Sequence, residues 1–466
     1  MKGYRYLFKN IGLLSLSQFG TKILAFLLVP LYTSVLTTED YGIYDLCNTT
    51  ISLLIPILTF NIADATLRYA IDQNSDKESV WRVSWHYYCI SLLFMALFTV
   101  TNGFLGIFPE MKQYSLLMFL LYATTCLNGI VSNFCRGIDK IRDIAISGVV
   151  SSAVIITANI LFLLITKWGI VGYFLAYILG ALSQIVYLSI SSRIWQYMSV
   201  KSVDAKLSEE MTGFSKPMIV NSVAWWINSV SDRYVITFFC GLAENGIYSV
   251  AGKIPSILNI FQTIFNQAWT LSAVKDFDPE DKEGFFSNTY KAYNCMMVVI
   301  CSLVIAFDKI LARFLYAKDF YIAWRYVPWL TMAILFGSLS GYIGGFFTAV
   351  KDSKQFSRSS LMGAVTNIIL NLAFTPILGA MGASVATVIS YVEVWIVRYI
   401  NSKHYVRLDI DIKRDVISYL VLLIQSIALL FLDIKWQIII TVIIVILYKK
   451  DIKMVTEHIL KKTKSL

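Results

Sequence analysis

Charged side chains lie inside long apolar runs of this 466-residue chain, among them Lys22, Asp64, Asp232, Arg233, Lys253 and Glu393. An ionised group at membrane depth is costly, so its default reading is a functional one. Lys22, Arg233 and Lys253 are cations, and together they suit an anionic head group such as a pyrophosphate, held by positive charge and hydrogen-bond donors. Glu393 is central in its run and is a candidate for protonation or cation coupling, because desolvation opposes its ionised form.

Helical spacing groups further polar side chains with these charges. Ser15, Gln18 and Lys22 recur at three and four residues and form one stripe. Snorkelling or a structural pair is the alternative for Lys22. Asn61, Asp64 and Arg68 share a face, with Asp64–Arg68 at ion-pair spacing, so a simple surface pair is also open. Asp45, Asn48 and Ser52 form another polar stripe near the other end of the same run. Asn221, Trp225, Asn228 and Asp232 fall on one face, with Trp226 and Arg233 alongside. Asp232 and Arg233 are neighbours about 100° apart on a helix and cannot satisfy one another on one face. Ser256, Asn259, Thr263, Asn266 and Thr270 occupy a narrow arc with Lys253 at its edge. A stripe of that length fits a water-filled cavity; interhelical hydrogen bonding is the alternative. Trp225, Trp226 and Trp269 are able to stack on sugar rings or to act as interfacial anchors.

The elements that position these residues are membrane helices. Of the residues, 57% are apolar and 15% charged, against about 45–50% and 25% in soluble domains. A bilayer core needs roughly 20 apolar helical residues per crossing. Runs bounded by charged joints predict spans at 11–36, 43–67, 83–104, 115–135, 144–166 and 169–192. After a charged segment come 216–240, 246–272, 290–307, 326–350, 359–377 and 381–400, then the shorter runs 416–432 and 436–448. The expected fold is an all-α polytopic membrane protein of about 14 helices.

That class excludes soluble enzymes and nucleic-acid binders, and the net charge of +10 reads as topology. With the N-terminus inside, alternate joints on that side hold 30 of the 40 Lys and Arg and the opposite joints seven. Both termini are therefore expected in the cytoplasm. The cysteines form no CxxC pair and the three histidines no ligand motif, so neither a disulfide framework nor a metal site is expected. No cofactor, catalytic nucleophile or cleavable signal is expected either.

The halves echo one another. Glu39-Asp40-Tyr41-Gly42-Ile43-Tyr44 returns as Ala243-Glu244-Asn245-Gly246-Ile247-Tyr248, and Gly169-Ile170-Val171-Gly172 as Gly379-Ala380-Met381-Gly382. The two offsets are nearly equal, which predicts a duplication of six spans. The expected organisation is a six-helix lobe over 1–195, a cytoplasmic connection over 196–215 and a second six-helix lobe over 216–402. Two further helices and a basic tail occupy 403–466. An even span number makes the repeats parallel, and such repeats place a substrate path where they meet.

Several segments together resemble the Wzx-type polysaccharide flippases of bacterial O-antigen and capsule pathways. They are Leu27-Leu28-Val29-Pro30-Leu31-Tyr32-Thr33, Glu39–Tyr44, Ala65-Thr66-Leu67-Arg68-Tyr69, Ser231-Asp232-Arg233, Gly246–Ala251 and Gln267-Ala268-Trp269. The larger group contains multidrug extruders and the peptidoglycan-precursor flippase. The resemblance implies a non-enzymatic transporter in the bacterial inner membrane. It would carry an undecaprenyl-pyrophosphate-linked oligosaccharide from the cytoplasmic to the periplasmic leaflet by alternating access. Lys22, Arg68, Arg233 and Lys253 would then attract pyrophosphate or acidic sugars. Asp64, Asp232 and Glu393 would be candidates for coupling to H+ or Na+. Membrane lipids and a polysaccharide polymerase or export machinery would be partners. The alternatives are a multidrug or cation antiporter of the same architecture and an integral membrane polymerase.

Overall fold

The computed structural model describes residues 26–72, 75–106, 108–198, 202–275, 277–350 and 352–453. Lys22 and Gln18 lie outside them. All regular elements among the described residues are helical. Among the described residues ten helices are long and apolar enough to cross a membrane, and Ile434–Leu447 is a shorter apolar one. Side chains such as Leu93, Phe104, Ile377 and Phe431 project from their elements unburied, as expected where lipid is the solvent. The chain is a multi-pass membrane protein.

The chain divides into two compact units, one comprising residues up to Tyr234 with Leu242–Gly246, the other Val235–Gly241 with Ile247 onward. The first contains α1 (Val29–Val35), α2 (Thr38–Leu58), α3 (Ile62–Ile71), α4 (Lys77–Leu105), α5 (Ser115–Gly137), α6 (Ile141–Asn159), α7 (Gly169–Ser191) and α8 (Ala205–Val230). Helix α6 continues into a π-helical turn, Ile160–Ile165. The division passes within α9 (Asp232–Cys240) and α10 (Leu242–Ala251). The second unit holds α11 (Ser256–Lys275), α12 (Phe285–Leu315), α13 (Val327–Ala349), α14 (Ser353–Leu378), α15 (Ala380–Ser402), α16 (Ile412–Phe431) and α17 (Ile434–Leu447). Helix α8 begins well before the expected start at 216 and packs on α2 and α3 within the first unit.

Capping defines the helix starts. Thr37 and Asp40 form a reciprocal box at the head of α2: the Asp40 amide donates to Thr37 Oγ1 at 3.1 Å, and the Thr37 amide donates to Asp40 Oδ2 at 3.2 Å. Asp76 accepts from the Glu78 and Ser79 amides at the head of α4. The Ser79 hydroxyl, donating at 2.6 Å, holds the Asp76 carboxyl below the usual carboxylate range.

Three spans expected as single helices are interrupted. The run 43–67 breaks between α2 and α3, where Pro56 lacks an amide hydrogen and Phe60 and Asn61 adopt φ of 53° and 54°. The freed end is closed by Thr59 Oγ1, donating to the Ile55 carbonyl at 2.7 Å, and by the Asn61 amide, donating to the Pro56 carbonyl at 2.8 Å. The run 216–240 breaks at Ser231, and 246–272 breaks around Gly252–Pro255. Such breaks persist in hydrocarbon only because the freed backbone groups find new partners.

Both sequence echoes correspond to close backbone approaches. Gly42 and Gly246 pack reciprocally within the first unit. A Cβ on Gly42 would stand 2.0 Å from the Leu242 carbonyl oxygen, and one on Gly246 would stand 1.9 Å from that of Thr38. Each glycine thus rests on the carbonyl four residues before the other. The second echo builds tight hairpins. Gly169 and Gly379, with φ of 56° and 62°, turn the chain between α6 and α7 and between α14 and α15. Gly172 and Gly382 then abut the preceding helix at Phe162 and Phe374. The packing repeats as well: α7 joins α5 and α6 in the first unit, as α15 joins α13 and α14 in the second.

The last two helices are fastened to α12 by buried polar contacts. Ser302 Oγ donates to Gln425 Oε1 at 2.8 Å, and Gln425 Nε2 donates to Thr441 Oγ1 at 3.1 Å. Arg414 pairs with Asp415 at 2.9 Å and also with Asp451. Hydrogen bonds of this kind hold membrane helices together where lipid removes the hydrophobic drive between them.

Gly246→Ala should lower the thermal transition of the detergent-solubilised protein by the equivalent of about 1–3 kcal/mol, the usual range for overpacking. Gly103→Ala, whose added Cβ meets nothing within 4 Å, should leave it unchanged or raise it. Equal behaviour of the two variants would contradict the reciprocal contact.

Candidate functional site

The charged group with the most developed surroundings is Arg233. The break at Ser231 creates its setting: Ser231 Oγ donates to the Ile227 carbonyl at 2.5 Å, and α9 restarts with Asp232. Asp232 is 7% exposed, and its Oδ1 accepts the backbone amide of Arg233 at 3.0 Å. The Arg233 side chain finds its acid on another helix. Its Nε lies 2.8 Å from Oδ2 of Asp45 on α2, with the two side chains 21% and 13% exposed. Such a pair is sheltered but can still be approached by a small ion.

Two bonds fix the walls around this pair. Trp226 Nε1 donates to the Thr49 carbonyl at 2.9 Å, and the Tyr234 phenol bonds the Thr50 hydroxyl. The Trp226 and Tyr234 rings face one another at 5.6 Å. One turn toward the start of α2, Asn245 Nδ2 donates to the Gly42 carbonyl at 3.2 Å beside the glycine contact. The arrangement offers a guanidinium, a counter-carboxylate and a stiff frame, which suits binding of an anion rather than covalent chemistry.

The other expected site residues are dispersed. Asp64 lies in the first turn of α3 and accepts from Asn61 Nδ2 at 2.7 Å. Among the described residues it makes no ion pair with Arg68, which is exposed in the last turn of α3. Their spacing within α3 is intact, but the Asp64 carboxylate is engaged by the side chain of Asn61 at the head of the helix. Asn48 is exposed on α2, and Trp225 is 69% exposed on α8. Asn228 lies on α8, and its side chain is outside the described set.

In the second unit, Lys253 is half-buried at the junction of α10 and α11. Asn259 is half-buried on α11, and its carbonyl accepts from Thr263 Oγ1 at 2.6 Å. Asn266 faces α13, where a Cβ on Gly341 would lie 3.6 Å from Asn266 Nδ2 and 3.9 Å from Gln262 Nε2. This part of the polar stripe therefore packs against a neighbouring helix. Trp269 is also a packing residue. It is 3% exposed, donates to the Tyr342 carbonyl at 2.9 Å, and stacks on the Tyr342 ring at 3.9 Å. A Cβ on Gly345 would stand 2.5 Å from its indole nitrogen. A sugar has no access to that face. Glu393 is half-buried on α15, with Oε2 buried and without a hydrogen-bond partner among the described residues.

Two buried charges were passed over because they fall at the edges of their apolar runs, where charges read as joints. Arg398 belongs to α15 and is 5% exposed. It donates to Ser359 Oγ at 2.9 Å, the Ser340 carbonyl at 2.8 Å and Ser360 Oγ at 2.8 Å, and it lies over the Phe356 ring at 4.2 Å. Asp308 belongs to α12, which continues to Leu315; it is fully buried, and neither carboxyl oxygen has a partner among the described residues. The signal was a helical apolar pattern that continues past 307 through Asp308 and that already contains Arg398 within the run 381–400.

The fold is that of a known class of membrane transporter. It aligns with the lipid II flippase MurJ in an inward closed conformation at a TM-score of 0.73, covering 96% of this chain and 99% of that one. Sequence identity is 16%, so the likeness is one of fold. Residues 7–271, more than half the chain, match the family described as Polysaccharide biosynthesis protein, and the chain belongs to that family. It is 23% identical over 220 residues to the probable low-salt glycan biosynthesis flippase Agl15 of Haloferax volcanii, covering 46% of this chain and 45% of that protein. It is 28% identical over 256 residues to the succinoglycan biosynthesis transport protein ExoT of Rhizobium meliloti, covering 54% and 50%. The matches thus span about half the length of these curated relatives.

Trp269→Ala should lower folded yield and stability by about 3–5 kcal/mol, as expected for a large core truncation. Trp225→Ala should shift the thermal transition by no more than about 0.5 kcal/mol. Thermal unfolding of both variants checks the assignment; a tolerant Trp269 would return it to the list of sugar-contacting candidates.

Proposed function

We propose that the chain moves a lipid-linked oligosaccharide across the membrane for polysaccharide biosynthesis. The substrate in this reading is an undecaprenyl-pyrophosphate-linked unit, carried from the cytoplasmic to the outer leaflet of the bacterial inner membrane by alternating access. Both termini are cytoplasmic in this reading, in keeping with the basic joints. The observation that carries it is the sheltered Arg233 guanidinium, held at 2.8 Å by Asp45 inside a bundle of membrane helices, in a chain of the polysaccharide biosynthesis family. A pyrophosphate diester offers paired oxygens that match a guanidinium fork. The names of the two relatives, a flippase and a transport protein, point the same way.

Lys253 adds positive charge in the second unit, and Arg68 and Lys22 complete the cationic set proposed to meet phosphate or acidic sugars. Asp64, Asp232 and Glu393 are the proposed sites of coupling to H+ or Na+, with Glu393 favoured by a buried oxygen that has no partner among the described residues. A polymerase or export machinery would receive the product.

Arg233→Gln combined with Asp45→Asn removes both charges without stranding either one, and should reduce surface polysaccharide at least about tenfold while protein level is maintained. Lys253→Gln should act in the same direction. Surface polysaccharide measured in a deletion strain complemented with each variant is the test, with drug susceptibility as the control. Wild-type polysaccharide in both variants, or drug sensitivity without polysaccharide loss in the deletion strain, would overturn the reading.

A further inference from the structure

We infer that Asp45 is a built-in competitor for Arg233, holding the guanidinium until a phosphate-bearing head group takes its place and thereby selecting phosphate over weaker anions. The inference deepens the transport reading above and rests on it for the identity of the cargo. It starts from the geometry of the pair. Arg233 Nε and Asp45 Oδ2 are 2.8 Å apart, and their side chains remain 21% and 13% exposed. A fully buried pair would be too costly to open, because separation would strand two unsolvated charges. A fully exposed pair would contribute little and select nothing. This one lies between those limits.

The backbones carrying the pair are fixed, so exchange requires only side-chain rotation. Helix α2 is set by its capping box and by the Gly42–Gly246 contact. The start of α9 is tied to α2 through Tyr234 and Thr50, and α8 through Trp226 and the Thr49 carbonyl. Asp45 occupies one face of the guanidinium through its Nε. A pyrophosphate offers more negative charge than one carboxylate and oxygens spaced for two parallel bonds. It can therefore displace Asp45 where a single carboxylate of equal charge gains nothing. Neutral and cationic cargo cannot compete at all, since they leave Asp45 in possession of Arg233. Asp45 would thus set specificity by raising the threshold that an anion must pass.

The probe is inorganic pyrophosphate, titrated onto the purified full-length protein in lipid nanodiscs. Asp45→Asn should tighten its binding roughly tenfold, the scale of one sheltered charge pair. The same variant should narrow the preference for pyrophosphate over the dicarboxylate glutarate. Arg233→Gln should weaken pyrophosphate binding by at least about tenfold, and adding Asp45→Asn to it should restore nothing. Binding of Asp45→Asn within about twofold of wild type, or a gain that persists without Arg233, would overturn the inference. So would pyrophosphate binding to neither wild type nor Asp45→Asn. Should Asp45→Asn fail to fold, the wild type itself gives the answer. The infrared difference spectrum on adding pyrophosphate should contain a shifted carboxylate stretch from the released Asp45, and a spectrum with no carboxylate change counts against exchange. Transfer of a lipid-linked oligosaccharide in proteoliposomes separates this inference from the one it rests on. Exchange at Asp45 without transfer would overturn the transport reading alone; transfer with pyrophosphate binding unaltered by Asp45→Asn would overturn the competitor alone.

Discussion

A guanidinium within a bundle of membrane helices must be met by an anion or by several well-placed oxygens, because lipid supplies neither. Both solutions occur in this chain. Arg398 is enclosed by two serine hydroxyls, a carbonyl and an aromatic face, all from its own unit. Its acceptors are distributed over α13 and α14, so it fastens three helices and, at 5% exposure, has no opening for a ligand. Arg233 pairs with the Asp45 carboxylate and keeps part of its surface accessible, at 21% exposure. The same residue type is thus enclosed as a brace in one place and left partly open in the other.

The duplicated segments show what a repeated glycine accomplishes in such a protein. Membrane helices associate through close packing and hydrogen bonds, and small residues allow both. Gly42 and Gly246 bring two backbones into direct contact, with Asn245 adding a bond to the Gly42 carbonyl. Gly169 and Gly379 provide left-handed turns, and Gly172 and Gly382 let the next helix fold back on the last. At Gly42, Gly246, Gly172 and Gly382 a side chain has no room, and at Gly169 and Gly379 the left-handed backbone disfavours one.

Much of this architecture was legible from residue patterns. Apolar runs located the helices, and the echoes marked equivalent segments of the two halves without showing that Gly42 and Gly246 meet. Helix interruptions were less visible: Pro56 and Pro255 marked two of them, but Ser231 carries no comparable signal. The site was partly legible. Arg233 stood out as a charge in an apolar run, and the neighbouring Asp232 could not be its partner. That the partner would be Asp45, 188 positions earlier by the numbering, depends on tertiary packing that spacing does not encode. Trp269 failed as a sugar-facing candidate for the same reason, since Tyr342 and Gly345 that enclose it come from another helix. Asp308 was obscured by a boundary drawn just before it and Arg398 by its place near the end of its run, although buried charges inside long helices are tolerated wherever neighbouring elements enclose them.

The glycine hairpins bear on how the protein is made. In α14–α15, Asn367 Nδ2 donates to the hydroxyls of Thr387 and Ser390 across the turn, and in α6–α7 Ser151 Oγ donates to the Gly180 carbonyl. An isolated α14 entering a bilayer would present Asn367 to acyl chains with nothing from α15 to answer it. Each hairpin is therefore the smallest unit that settles in the bilayer on its own, and a ribosome pausing between the two arms would leave the nascent chain at its most vulnerable to membrane proteases.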